Sequence, residues 1–196
     1  MTANILPTYS KRATPVIEEM RMVKAAQEMF KRGARVPIVG ALLPIKREKL
    51  IKLHIEVTGQ TPTTGPLPSD HTWYSSNTYP MRTVQSSLLI DIYKKVKRSS
   101  TEAIEAEVLV ATFDLFINQC SAIKAQPLIT FVRAWHLIQQ IRINNLITTG
   151  CIHCRGDFVV PSDRLHSKYE CPLCDRKSSL KPAIYNRSTN ALALAA

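Results

Sequence analysis

Apolar residues recur every three to four positions along most of the chain, which is the spacing of helices with one buried face. The first such stretch predicts a helix over residues 15–32, because Pro15 suits a first turn and Gly33 suits a stop. Its expected buried face consists of Val16, Met20, Val23, Ala26 and Phe30. We expect this helix to pack against others rather than to bind a ligand.

A shorter helix is predicted over residues 46–57, closed by Gly59, with Leu50, Leu53 and Val57 on its apolar side. A basic edge runs along another side at three-residue spacing and is formed by Lys46, Lys49 and Lys52. Helix, turn and short basic helix is the outline of a helix-turn-helix motif, whose second helix lies in the major groove. The alternative is that these lysines only solvate an amphipathic helix.

Residues 60–80 hold four prolines and one glycine among polar residues, which predicts a long loop. Trp73, Tyr74 and Tyr79 either anchor this loop to the core, which we favour, or accept a partner subunit. The next predicted helix, residues 82–98, ends in four cations around Val96. They complement the dipole at the helix C-terminus and form a second basic cluster.

Two further helices complete the predicted body. Ser99 and Glu102 have capping-box spacing, which predicts a helix over residues 103–120 in which Cys120 is a buried small hydrophobe. Its expected buried side consists of Ile104, Val108, Ala111 and Leu115. Pro127 opens a last helix that runs to about Leu146. We therefore expect a helical body over residues 1–148, a small module over 149–182 and a flexible tail over 183–196.

The small module contains the strongest motif of the sequence, which is formed by Cys151, Cys154, Cys171 and Cys174. Two C-x-x-C pairs separated by 16 residues are typical of a structural zinc site, in which four thiolates close a tetrahedron and leave no position for water. Residues 158–160 and Tyr169 suit two short strands, with Pro161 and Ser162 at the bend. The fold class is therefore mainly α, with a helix-turn-helix-like segment and a C-terminal zinc ribbon that binds one Zn²⁺ per chain.

Other chemistry for this motif is less well supported. His153 and His166 could compete as ligands, but four cysteines already complete a zinc shell. The pairs could also serve thiol–disulfide exchange or an iron–sulfur cluster, although no thioredoxin-like βαβ pattern accompanies them. Phosphate-binding loops, nucleophile elbows and H-E-x-x-H motifs do not occur in the sequence. We expect neither an enzyme nor a small-molecule substrate.

Charge adds an expected class of partner to this description. The chain has 196 residues and a formal net charge of +11, and the first 98 residues carry 16 basic and 7 acidic side chains. Such an excess favours a polyanionic partner. No apolar run is long enough to span a membrane, and the N-terminus lacks a signal-peptide pattern, so we expect a cytoplasmic protein without a membrane partner.

Several stretches in the same order resemble one family. They are Gly33-Ala-Arg, Leu50-Ile-Lys-Leu53, Gly59, Gly65 with Leu67-Pro68, Trp73, Arg133-Ala-Trp135 and the four spaced cysteines. Together they resemble FlhC, the zinc-binding subunit of the bacterial flagellar master regulator. The resemblance implies assembly with an FlhD-type subunit into a heterohexamer, binding to promoter DNA of flagellar (class II) operons and recruitment of RNA polymerase. It also implies that the four cysteines are the metal ligands.

The leading hypothesis is thus a DNA-binding subunit of a transcriptional activator. Its expected phosphate and groove contacts are Lys46, Arg47, Lys49, Lys52, Arg155 and Arg164. The alternative is an interaction subunit that does not bind DNA, whose zinc ribbon docks a protein and whose basic face meets an acidic partner.

Overall fold

The computed structural model describes residues 15–76, 78–164 and 169–175. It contains six α-helices, followed by a two-stranded antiparallel sheet. The helices are α1 (Val16–Lys31), α2 (Val36–Leu42), α3 (Arg47–Thr58), α4 (Pro80–Ser99), α5 (Glu105–Ala122) and α6 (Phe131–Arg142); the strands are β1 (Leu146–Gly150) and β2 (Asp157–Pro161). A 3₁₀ turn, Thr72–Tyr74, interrupts the long loop. The predicted tail and His166 lie outside the described residues.

The helices share one core, to which the sheet is attached at one end. Helix α1 packs on α3 and α5, α4 packs on α5, and the sheet packs on α4 and α6. The largest fully buried side chains come from every part of this body and include Phe30, Ile38, Leu50, Tyr74, Leu89, Phe116 and Phe131. The mainly helical fold class with a small cysteine cluster near the C-terminus is confirmed.

Helix α1 occupies the predicted span, and of its predicted buried face Ala26 and Phe30 are buried, whereas Val16 and Met20 are not. Its buried residues are Met22, Ala25, Ala26, Met29 and Phe30. Val16 and Met20, which were expected in the core, are 72% and 67% exposed, and Ile17 beside them is 82% exposed. The prediction was wrong here because α1 has apolar residues on two faces, and contacts with α3 and α5 rather than periodicity decide which one is buried.

The helix-turn-helix outline is formed by different helices than the sequence suggested. Helix α2 was not predicted because seven residues with Pro37 in the first turn are too few for a periodic signal. It packs against α3, and residues 43–46 form the turn between them. Helix α3 ends at Gly59, which adopts a left-handed conformation with φ of +69°. The short basic helix, α3, thus follows α2 in the chain, and α1 packs against α3.

The start of α5 and the end of α6 also differ from prediction. Ser99 is the last residue of α4, and its hydroxyl donates to carbonyl oxygens within that helix, so it does not cap α5. Instead the Glu107 carboxylate accepts the Ile104 N–H at 3.2 Å at the start of α5. The predicted buried side of α5 is also partly wrong. Among Ile104, Val108, Ala111 and Leu115, Val108 alone is fully buried, and Leu115 is 46% exposed. Leu146 belongs to β1 and not to α6.

Tyr74 anchors the long loop to the core through a buried hydrogen-bond network. Its hydroxyl lies 3.0 Å from the Arg133 carbonyl oxygen and 2.7 Å from His136 Nδ1. The Gln140 amide nitrogen lies 3.1 Å from His136 Nε2. The amide N–H donates to His136 Nε2, so the imidazole proton is on Nδ1. The imidazole is therefore neutral in the folded protein. Burial and then the charge of Arg133 lower the pKa of His136.

This network predicts a loss of stability in mild acid. Folding lowers the pKa of His136 from its ordinary value of 6.5. The unfolded chain therefore binds a proton at His136 more tightly than the folded chain does. The contribution of His136 to the free energy of unfolding should be fully present above pH 6.5. It should be lost as the pH drops through the pKa of His136 in the folded protein. Urea unfolding between pH 5 and pH 8 measures this slope. His136→Gln should flatten it, and a variant with the wild-type slope would contradict the assignment.

Candidate metal centre and basic surfaces

A short hairpin positions the first cysteine pair. Strands β1 and β2 are antiparallel, with Leu146 opposite Pro161 and Gly150 opposite Asp157. Cys151 and Cys154 therefore lie in the connection between the strands. The sequence predicts two strands between the cysteine pairs, at residues 158–160 and at Tyr169. The first is confirmed as part of β2. Tyr169 belongs to no strand, and the partner of β2 is instead β1, which precedes the first cysteine pair.

Each C-x-x-C pair forms the same tight turn. Cys151 O accepts the N–H of Arg155 at 2.9 Å, and Cys171 O accepts the N–H groups of Cys174 and Asp175, both at 2.9 Å. Arg155 takes a left-handed conformation with φ of +60°, which turns the chain back toward β2. Ile152 N–H donates to Tyr169 O at 3.0 Å and ties the two turns together. This pairing brings all four cysteines to one place.

The geometry of the four sulfurs fits a tetrahedral metal site. All four Sγ atoms lie within 4.8 Å of one another, and those of Cys154 and Cys171 are 3.7 Å apart. A tetrahedron with Zn–S bonds of about 2.3 Å has sulfurs about 3.8 Å apart, whereas a disulfide requires about 2.05 Å. Cys151 and Cys171 are buried, while Cys154 is exposed and Cys174 is half-buried. The four cysteines can hold one metal ion.

The electrostatics of the cluster differ from one sulfur to the next. Burial opposes ionisation of Cys151, but the backbone N–H groups of Cys171, Cys154 and His153 lower its pKa to about 6. Burial and the neighbouring sulfurs raise the pKa of Cys174. Four thiolates this close together repel one another, so a divalent cation is what would stabilise them all at once.

His153 is hydrogen-bonded elsewhere. Its Nε2 lies 3.0 Å from Glu170 Oε1, which links the two cysteine turns a second time. Among the described residues, the group able to hold a metal consists of the four cysteines without a histidine.

Polar contacts fasten the hairpin to the helical body. Val159 N–H donates to Ser87 Oγ at 3.0 Å, while the same hydroxyl donates to the Thr83 carbonyl at 2.6 Å. Lys94 Nζ lies 2.8 Å from Thr148 Oγ1. Val159 is buried in the main core, whereas Cys151, Phe158, Val160 and Cys171 form a small core of their own. The cysteine cluster is thus held against α4.

The basic residues singled out from the sequence lie on two separate elements. Lys46, Arg47, Lys49 and Lys52 are exposed at the start and along the outside of α3, which packs on α1 and α2. Arg155 and Arg164 are exposed on the cysteine module, which packs on α4 and α6. Lys49 Nζ pairs with Glu19 at 2.5 Å, whereas the described residues provide no ion pair for Lys46, Arg47 or Lys52.

The structure adds an apolar surface that sequence analysis missed. On the outward side of α1, Val16, Met20 and the half-buried Val23 line a groove of about 1100 Å³ whose far wall is Val110 and Ala111 of α5. Ile17 is exposed beside them. Several charges that flank the groove pair within the chain, such as Arg21 with Glu107 and Lys31 with Glu28. We refer to Val16, Ile17 and Met20 as the α1 strip. Within the described part of the chain no helix is long and apolar enough to cross a membrane.

Comparison with known proteins gives consistent matches to one family. The family described as "Flagellar transcriptional activator (FlhC)" matches residues 11–183. The flagellar transcriptional regulator FlhC of Nitrosomonas eutropha is 29% identical over 159 residues, covering 81% of each chain. The protein of the same name from Proteus mirabilis is 28% identical over 180 residues, covering 87% of this chain and 91% of the relative.

Proposed function

The chain belongs to the FlhC family of flagellar transcriptional activators, and from this premise we propose that it activates transcription by binding promoter DNA as one subunit of a hetero-oligomer. The partners are an FlhD-type subunit, in a heterohexamer, and RNA polymerase. The protein acts in the cytoplasm on flagellar (class II) operons, and we assign it no catalytic role. The single observation that carries the proposal is the match to the family over residues 11–183.

We further propose that the metal is zinc, one ion per chain, held by Cys151, Cys154, Cys171 and Cys174. The support is the all-sulfur donor set and the 3.7 Å separation of two of the sulfurs. Zinc bound in this way would supply structure and no reactivity, since four protein ligands leave no open position. The protein then divides into a helical body over residues 1–148 and a metal module over 149–182.

For DNA binding we propose contacts from α3, where Lys46, Arg47 and Lys52 are exposed and lack ion-pair partners among the described residues. Lys49 differs from them because its pair with Glu19 must open before the ammonium group can meet a phosphate. An exposed pair of this kind is weak, so DNA can displace it. Arg155 and Arg164 would add contacts from the metal module.

This proposal predicts salt-sensitive DNA binding that depends on α3. Fluorescence anisotropy with a labelled flagellar promoter duplex should detect binding by the complex with the FlhD-type subunit, weakening steeply as salt rises. Arg47→Gln with Lys52→Gln should lower the slope of log K against log salt by roughly two, because each lost phosphate contact removes about one. Lys124→Gln, an exposed lysine after α5, is the matched control and should leave the slope unchanged.

The outcomes separate the competing functions. An unchanged slope in the double variant would exclude α3 as a DNA surface. Absence of DNA binding with and without the FlhD-type subunit would contradict the proposed function and favour an interaction subunit that docks proteins only.

A further inference from the structure

Two guanidinium groups lie against the indole of Trp73. The guanidinium carbon of Arg133 lies 3.9 Å from the ring centroid, and that of Arg82 lies 4.7 Å from it. The Arg82 guanidinium also lies 4.1 Å from the ring centroid of Tyr79, which is 55% exposed. The fully buried Tyr74 ring meets Trp73 edge-on at 5.2 Å, so the core fixes the indole in place. We call these four residues, Trp73, Tyr79, Arg82 and Arg133, the arginine–aromatic cluster.

The two arginines differ from others of the helical body in having no acidic partner. Arg21, Arg32 and Arg142 each pair with a carboxylate of α5. Among the described residues neither Arg82 nor Arg133 forms an ion pair, and the Arg133 guanidinium also interacts with the Tyr74 hydroxyl. Two like charges therefore lie against one ring, and Asp70, whose charge reaches Tyr74 and His136, forms no ion pair with either arginine.

The positions of these arginines in their helices add to the electrostatic cost. Arg82 is the third residue of α4 and Arg133 is the third residue of α6, and neither helix has an acidic residue in its first turn. The N-terminal end of a helix dipole favours anions and disfavours cations. An anion bound between the two guanidinium groups would relieve both the mutual repulsion and the unfavourable interaction with the dipoles.

We propose that the arginine–aromatic cluster binds phosphate groups of the DNA backbone. This inference rests on the proposed function and extends it to a surface outside α3 and the metal module. A guanidinium that stacks on an aromatic ring contacts the ring through its own flat face. Its N–H groups lie in the plane of the guanidinium and stay available for two parallel hydrogen bonds to a phosphate. Packing against the rings also orders the side chains in advance, which reduces the entropy lost on binding. Successive phosphates of one DNA strand offer the closely spaced anions that two adjacent guanidinium groups require.

The test uses the complex with the FlhD-type subunit and two labelled duplexes, a flagellar promoter and a random sequence of equal length. Arg82→Gln with Arg133→Gln should raise Kd about tenfold or more at moderate salt and lower the salt slope by about two on both duplexes, since phosphate contacts do not read sequence. Arg98→Gln is the matched control, because it removes an exposed arginine from the far end of α4. It should change neither quantity.

Replacement of both arginines by lysine separates charge from hydrogen-bond geometry. Arg82→Lys with Arg133→Lys should keep the salt slope but still raise Kd, because an ammonium group cannot form the paired bonds. If the double glutamine variant melts at a much lower temperature than wild type, Arg82→Gln alone decides the matter, because the Arg82 guanidinium lies over two aromatic rings and forms no ion pair among the described residues. Its expected change in the salt slope is about one.

The remaining outcomes distinguish this inference from the proposed function. If the wild-type complex binds neither duplex, the proposed function fails, and the phosphate site fails with it. If the wild-type complex binds and the folded double variant has the same Kd and slope, only the phosphate site is overturned. A folded double variant that no longer co-purifies with the FlhD-type subunit would overturn the phosphate site and assign the cluster to a protein interface instead.

Discussion

Replacing Cys171 by serine should remove the metal and release residues 169–175 from the hairpin. Cys171 is 6% exposed, its N–H donates to Cys151 Sγ at 3.3 Å, and its carbonyl closes the second cysteine turn. Loss of this one ligand should lower zinc affinity by more than about 100-fold, since even changes behind the ligands cost 10–100-fold. We expect about one zinc per wild-type chain and none per variant chain, measured by elemental analysis after purification without added metal.

Cys120 provides a matched control for this experiment. It is a fifth cysteine, 1% exposed in the helical core and distant in sequence from the cluster. Cys120→Ala should keep one zinc per chain and lower the free energy of unfolding by on the order of 1 kcal/mol, as core changes of this size do. A Cys171→Ser protein with wild-type zinc content and full promoter activation would overturn the structural role of the site.

We expect the exposed apolar α1 strip to bind the FlhD-type subunit of the proposed function, so introducing two aspartates there should prevent assembly. Ile17 and Met20 are 82% and 67% exposed, so Ile17→Asp with Met20→Asp should change the stability of the chain by less than about 0.5 kcal/mol per site. Buried in an interface, each such anchor contributes on the order of 2 kcal/mol or more, and a charge there would be desolvated. We expect co-purification with the FlhD-type subunit to be lost while the melting temperature of the isolated chain is retained.

The comparison variant for the α1 strip is Ile143→Asp. Ile143 is 59% exposed and follows α6, an element with no extensive contact to α1. This variant should assemble as the wild type does, because it places the same charge on a comparable isoleucine elsewhere. Assembly of the α1 double variant at wild-type affinity would exclude the strip as the partner surface.

Sequence alone predicted the features that depend on local spacing. The four cysteines were identified because two short pairs at zinc-site spacing need no knowledge of the fold, and their sulfurs do lie together. Helices α1, α3 and α4 were found within one or two residues, since strong periodicity coincides there with Gly or Pro at the ends. Burial of Cys120 and Tyr74 is also confirmed.

Features that depend on packing could not be predicted in the same way. Val16 and Met20 follow the periodicity of a core face, yet the competing face with Met22 and Met29 is the one that α3 and α5 cover. The predicted last helix reaches Leu146, the first residue of β1, because a five-residue strand is too short to give a clear period-two pattern. Arg82 and Arg133 are 51 residues apart in sequence, so only the tertiary fold could bring them to one indole.

The hairpin also has a consequence for the order in which the metal centre is assembled. Cys151 and Cys154 are delivered by two strands that are neighbours in sequence, so this half of the centre can form early and through local contacts alone. Cys171 and Cys174 come from a stretch without strand or helix, which is joined to the first half by a few hydrogen bonds. Chelation should therefore proceed in two stages, with capture of the ion by the hairpin followed by closure of the second turn over it.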